Sequence, residues 1–364
     1  MEIYSFFLFV VMIGFLVFIH ELGHFAASLL CKVEVEEFGF GLPPRVFTMF
    51  TWRGTAFTIN ALPFGGFVKP RGENDPDLPM GLAAASPWAR FTVAIAGPLM
   101  NLITGVIAIA ILFSQTGLPN TAIVSIGAVE AGSPADQAGI KLGDEIVSIN
   151  GAAMTSTPQV RETIYAHLDQ SIEIVMRRGG REITLTVTPL SSRVNIGAMG
   201  VLLEHPVDEV NFFQAIPAGI QETGNFIRTL FALPGRLITG QATPEEGRLM
   251  GMYSIYRVID QALQIDVESR QPEPAPAAPA ASPTYNVLSI FVSLTLSFGV
   301  FNLLPIPALD GGHIAFAFAE LISRRKIPAK FQNVVNGTAF ILLLLLMAYV
   351  LIMDFVNPVI LPLR

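Results

Sequence analysis

The sequence predicts a polytopic α-helical membrane protein: about four transmembrane helices, a β-hairpin after the first, and an α+β domain inserted between the second and third. Three observations predict it. The 364 residues are 52% hydrophobic and 14% charged, where an average soluble domain carries about 25% charged residues. Stretches near 4–30, 91–113, 286–306 and 334–356 reach the roughly 20 apolar residues that a spanning helix needs. The long intervening segment, 114–285, has the mixed composition and turn residues of a soluble domain.

The bulk properties exclude some functions. A net charge of −7 and the lack of a basic stripe argue against nucleic acid as a partner. A single cysteine, Cys31, excludes an internal disulfide framework and a cysteine-rich metal site, and reads as a small buried apolar residue. The start, Met1-Glu2-Ile3-Tyr4-Ser5, has neither the basic residues nor the small-residue cleavage site of a signal peptide. The first apolar stretch is therefore expected to be a retained transmembrane helix.

Two of the spans are unusual. The first carries His20, Glu21 and His24 near its C-terminal end, and the third runs into Pro305-Ile306-Pro307. Ionisable groups and broken helices are tolerated at membrane depth only against protein or a water-filled cavity, so both point to one enclosed polar site. The connection between spans three and four holds Arg324, Arg325, Lys326 and Lys330. A short basic loop of this kind is expected on the cytoplasmic side. That orientation puts 31–90 in the cytoplasm, and 114–285 and both termini outside.

Residues 38–69 form the expected hairpin, turning at Trp52-Arg53-Gly54-Thr55 and ending in Pro63-Phe64-Gly65-Gly66-Phe67-Val68. Residues 121–190 read as the compact inserted domain: a strand at 123–126, a short helix opened by Ser133-Pro134, a strand running into the turn Asn150-Gly151, a helix near 157–168, and strands at 171–177 and 182–188. Their order and turn residues resemble a PDZ domain. Residues 191–285 add a strand near 194–203, amphipathic helices over about 206–265, and a Pro/Ala-rich linker at 271–283. Residues 1–120 and 286–364 then hold the two transmembrane pairs.

His20-Glu21-Leu22-Gly23-His24 fits the H-E-x-x-H pattern. On a helix, residues i and i+4 share a face, so both imidazoles can bind one metal ion. Glu21 lies about 100° round the helix, within reach of a water held there, as a general base. Two core histidines and a salt-bridged glutamate would be the structural alternative, but an apolar span makes that arrangement costly. Catalytic zinc usually takes three protein ligands and leaves a position for water. Asp310 and His313 both sit where the third span ends. Asp310 supplies a carboxylate at that membrane edge, with capping of the following helix as its plain structural role.

These two motifs, on separate spans with a PDZ-like domain between them, resemble the site-2 protease family of intramembrane zinc metalloproteases. Within it, the chain is most similar to the bacterial branch that has a single PDZ domain and acts in regulated intramembrane proteolysis. Gly97-Pro98-Leu99-Met100-Asn101 is similar to the family's G-P-x-x-N element, and Leu237-Ile238-Thr239-Gly240 to the region before its third span. Where relatives often have Gly-Pro-x-Gly, this chain reads Gly247-Arg248-Leu249-Met250-Gly251.

The resemblance implies one Zn2+ on His20, His24 and Asp310, with Glu21 as general base. It implies a membrane-associated hairpin at about 38–69 that pairs with an unwound substrate. Asn302 is a candidate for binding the substrate backbone or the oxyanion, or for bonding a carbonyl freed beside Pro305. The expected partners are membrane lipid, single-span membrane proteins such as anti-sigma factors after a first cleavage, remnant signal peptides, and a peptide ligand of the PDZ-like domain. The expected location is the bacterial inner membrane, with the site near the cytoplasmic face and the PDZ-like domain outside. A non-proteolytic zinc-binding membrane protein or transporter is the alternative. A transporter needs polar groups along a path across the membrane, whereas these gather at one depth.

Overall fold

The structure is a computed structural model that describes residues 2–73, 75, 77–193, 197–241, 249–270 and 284–356. The expected linker at 271–283, and Gly247-Arg248, lie outside the described residues. The chain divides into two compact units, one made of Met1–Leu112 and Ile216–Arg364, the other of Phe113–Ala215.

In the first unit, four helices are long and apolar enough to cross a membrane. They are α1 (Glu2–Leu30), α2 (Pro87–Thr116), α7 (Asn286–Leu303) and α9 (Ala329–Val356). Lipid gives apolar side chains little reason to prefer one another, so membrane helices associate closely where small residues let backbones approach. Here those residues are glycines of α1, α2 and α7. A Cβ on Gly23 would strike the Ala96 carbonyl, and one on Gly105 would strike Leu296. One on Gly299 would lie 3.1 Å from the Pro98 carbonyl oxygen.

Between α1 and α2 come β1 (Val35–Trp52) and β2 (Thr55–Pro70). They turn at Arg53-Gly54, with φ of 50° and 87°, the double-positive pair of a tight hairpin. Both strands bend. Residues 35–40 face 66–70 on one side (Phe38 opposite Val68) and 56–59 on the other (Phe38 opposite Phe57), while 45–52 pairs with 55–60. The result is a small sheet of four arms with 66–70 at one edge. It packs on α1 through Phe25, Val35 and Phe38. Cys31, just before it, is half-buried.

The second unit opens with β3 (Leu118–Pro119), β4 (Val124–Val129), α3 (Pro134–Gln137), β5 (Glu145–Ile149) and β6 (Ala152–Ala153). It continues with α4 (Thr157–Ala166), β7 (Ile172–Arg178), β8 (Arg181–Val187), β9 (Val201–Glu204) and β10 (Val207–Asp208). Its main sheet has the order β8-β7-β5-β4-β9, with β6 paired to β5. Ser133 and Ser156 cap α3 and α4 through their side-chain oxygens. The Asn150-Gly151 turn takes φ of 49° and 79°. Val124, Ile149, Val160, Ile172, Ile174 and Met176 are fully buried in its core.

The remaining helices are α5 (Phe212–Ile238), α6 (Met252–Glu268) and α8 (Asp310–Ser323). Where the sequence suggested separate amphipathic segments, α5 is one helix that contains Pro217 and Pro234. Carboxylates tie α6 to three spans. Asp260 accepts from the Ser5 hydroxyl at 2.5 Å. Asp266 accepts from the Asn286 and Val287 N–H groups that open α7, at 2.8 and 3.0 Å. Asp354 of α9 accepts from the Ser254 N–H at 2.8 Å and from its hydroxyl.

Candidate active site

Helix α1 delivers His20, Glu21 and His24 to one end of a cavity of 550 Å3. The two imidazoles meet at Nε2, 3.2 Å apart. The third member arrives from the break after α7. Pro305 and Pro307 have no N–H to continue a helix, so the chain turns through 304–309 and restarts as α8 at Asp310. The glycines after Asp310 serve this return. A Cβ on Gly311 would collide with the Leu304 carbonyl, and one on Gly312 would lie 2.7 Å from Pro307 Cα. Asp310 Oδ2 then lies 2.9 Å from His20 Nε2, and Oδ1 lies 3.4 Å from His24 Nε2.

Among the described residues, His20, His24 and Asp310 form the group whose ligand atoms converge, all within 4.8 Å of one another. His313, the other candidate third ligand, lines the same cavity one turn further along α8 and lies outside that group. His20 is 5% exposed, and Asp310 Oδ2 is buried with no hydrogen-bond donor. Three lone-pair donors crowded together, one of them an orphaned carboxylate oxygen, fit a cation.

Outer partners orient both rings. His24 Nδ1 lies 2.8 Å from the Val93 carbonyl, which holds the proton on Nδ1 and leaves the Nε2 lone pair free to bind a cation. His20 Nδ1 lies 3.3 Å from the Asn101 amide nitrogen, while Asn101 Oδ1 is buried without a partner. With the amide turned over, Oδ1 accepts from Nδ1–H, and His20 takes the same tautomer. Asn101 is fully buried. The sequence places it in the Gly97-Pro98-Leu99-Met100-Asn101 motif, whose spacing is the one signal of a role beside His20. Gly97 itself lies against both imidazoles, where an added Cβ would come within 2.9 Å of His20 Nε2 and closer still to His24.

Glu21 faces the sheet. Its Oε2 accepts from the Val68 N–H at 2.8 Å, so the carboxylate stands between the three donors and the 66–70 edge. Asn302 lines the cavity and donates from Nδ2 to the Phe298 carbonyl at 3.0 Å, one turn back in α7. In the lining of the same cavity, Glu320 of α8 pairs with Arg90 of α2 and accepts from the Ile327 N–H at 3.0 Å.

The profile of peptidase family M50 matches residues 8–346. The chain belongs to peptidase family M50. Among its M50 relatives, the protein named "Putative zinc metalloprotease CPE1693" of Clostridium perfringens is 33% identical over 348 residues, covering 94% of this chain and 96% of that one. Metalloprotease MmpA of Caulobacter vibrioides is 30% identical over 353 residues, covering 86% of each. A solved structure, the PDZ domain of an SdrC-like protein from Listeria monocytogenes, is 20% identical and covers 22% of this chain and 87% of its own, with a TM-score of 0.21. The chain is thus a membrane metalloprotease of the site-2 protease family, and M50 enzymes depend on zinc.

Proposed function

We propose that the chain is an endopeptidase that hydrolyses peptide bonds within or beside the transmembrane segment of single-span membrane proteins, using zinc held by His20, His24 and Asp310. One observation carries the reading: Glu21, which lines one cavity with those three donors, accepts from the Val68 N–H of a β-sheet's edge arm. A transmembrane helix hides its carbonyls in its own hydrogen bonds, so a substrate must unwind before cleavage. An edge arm such as 66–70 offers replacement backbone bonds.

When bound, zinc supplies polarisation of the scissile carbonyl and a lowered pKa for the attacking water. The chain's own residues do the rest. Glu21 takes the water's proton and passes it to the leaving nitrogen. Asn302 uses one amide hydrogen on Phe298 and offers the second to the substrate backbone or the developing oxyanion. Exposed Val46, Phe47, Phe50 and Trp52 on the far arm of the hairpin support its contact with lipid.

The basic residues after α8 support a cytoplasmic site, with the inserted domain outside the bacterial inner membrane. In the main sheet of that domain, β9 pairs only with β4 among the described strands, which suits a PDZ-like module that takes up a peptide end as an added strand. It would admit proteins already shortened by a first cut, such as anti-sigma factors, or remnant signal peptides.

The test is co-expression of a single-span substrate, with and without its outer domain, beside wild type and Glu21→Gln. Wild type should cut the shortened substrate inside or next to its span, as mapped by mass spectrometry, and Glu21→Gln should leave it whole. Equal cleavage by both enzymes overturns the reading.

A further inference from the structure

Among the described residues, one side chain from outside hydrogen-bonds the backbone of the segment that delivers Asp310. Ala308 donates its N–H to Asn336 Oδ1 of α9 at 3.3 Å. The other hydrogen bonds near it are local: Ile306 N–H to the Leu304 carbonyl, Leu309 N–H to Ile306, and Gly312 N–H to Leu309. Among the described residues, Asn336 is the side chain that bonds the backbone of 304–309.

Ala308 has φ of 72°. In that left-handed region an alanine Cβ crowds its own backbone, and glycine is the usual occupant. A non-glycine residue stays there only when its surroundings fix it, and such residues gather at functional sites. Two residues later comes Asp310, so a change of backbone conformation at Ala308 would swing the carboxylate away from His20 and His24. Asn336 lines the cavity that holds these groups. It stands in the polar first turns of α9, where Gln332 and Asn333 line the same cavity.

We propose that Asn336 is a positioning residue for the third zinc ligand: its Oδ1 holds the Ala308 N–H and so fixes the strained conformation that aims Asp310 at the two imidazoles. The inference rests on the proposed ligand set. It gives α9, which supplies no ligand, a part in building the metal site.

The test measures the rate at which the purified full-length protein in detergent loses zinc to a chromogenic chelator. Wild type should hold zinc, and His24→Ala should hold much less. If those two retain zinc equally, the ligand set itself fails. With the set established, Asn336→Ala should release zinc about tenfold faster, the low end of the loss expected when an outer partner of a metal ligand is removed. Asn336→Asp, which keeps an acceptor at the same reach, should release it at the wild-type rate. Adding Ala308→Gly to Asn336→Ala should slow release again, because glycine adopts this φ without a Cβ penalty. A role in packing alone would not be rescued at residue 308.

Wild-type release from Asn336→Ala, or no rescue by Ala308→Gly, overturns the proposal. Should Asn336→Ala not fold, Asn336→Asp and Asn336→Gln decide. Glutamine moves the acceptor by one methylene and should speed release, and equal release from the two overturns the proposal.

Discussion

Glu21 Oε2 accepts a 2.8 Å hydrogen bond from the Val68 N–H, so a side chain of the first span is held by the edge of the hairpin. A proline has no N–H and is tolerated on a sheet edge. Val68→Pro should therefore keep zinc but leave Glu21 poorly aimed, lowering kcat by about 100-fold, the scale of a 1 Å misplacement at a reacting centre. Val68→Ala keeps the N–H and should retain most of the activity. Zinc content and kcat, measured on the same preparations, check both.

Asn101 is the outer partner of His20. Asn101→Leu should weaken zinc binding by about 10–100-fold, with a smaller loss for Asn101→Asp, which keeps an acceptor oxygen. Chelator competition reads the affinity directly, and unchanged affinity in the leucine variant would show that the amide does not set the tautomer.

Gly97 touches both imidazoles through space that a methyl group would fill. Overpacking a tight contact costs about 1–3 kcal/mol. In Gly97→Ala that strain falls on the two imidazoles, so zinc affinity should drop by roughly 5–150-fold while the helices still assemble. An added Cβ at Gly14 of α1 meets nothing within 4 Å, and Gly14→Ala should leave zinc binding unchanged.

In the inserted domain, burial alone would raise the Asp144 carboxyl, but bonds from Arg178 and the Lys141 N–H outweigh it and hold its pKa below the usual aspartate value. A carboxylate depressed in the folded state contributes stability that is present above its unfolded pKa and lost as pH falls through the folded value. Acidification below the ordinary aspartate range, about 3.9, should therefore loosen this domain. Asp144→Asn should loosen it already at neutral pH, because the Arg178 guanidinium then loses its charged partner. Hydrogen exchange of 113–215 in the intact chain measures both effects.

The parts legible in the sequence were those set by local rules. The spacing of His20 and His24 fixes a shared helix face, with Glu21 about 100° round it. Arg53-Gly54 and Asn150-Gly151 announce their turns, and the apolar runs place all four spans. What stayed hidden depends on distant contacts. The third apolar run reaches 306, yet α7 stops at Leu303, because the missing N–H groups of Pro305 and Pro307 act before the apolar run ends. A helix after Asp310 is expected from its capping alternative, and α8 follows there, running to Ser323. The four-arm sheet was illegible because bends at Gly41 and Gly65, with φ of 82° and 79°, fold both strands back on themselves. Asn336 gave no signal at all, since its partner lies in a loop 28 residues away.

The most direct measurement is zinc content and cleavage in parallel on purified wild type, Glu21→Gln and Asp310→Ala, with a single-span substrate reconstituted in lipid. The account predicts one zinc per chain with cleavage for wild type, one zinc without cleavage for Glu21→Gln, and loss of both for Asp310→Ala. Full zinc and full cleavage in Asp310→Ala, or wild-type cleavage by Glu21→Gln, would contradict it.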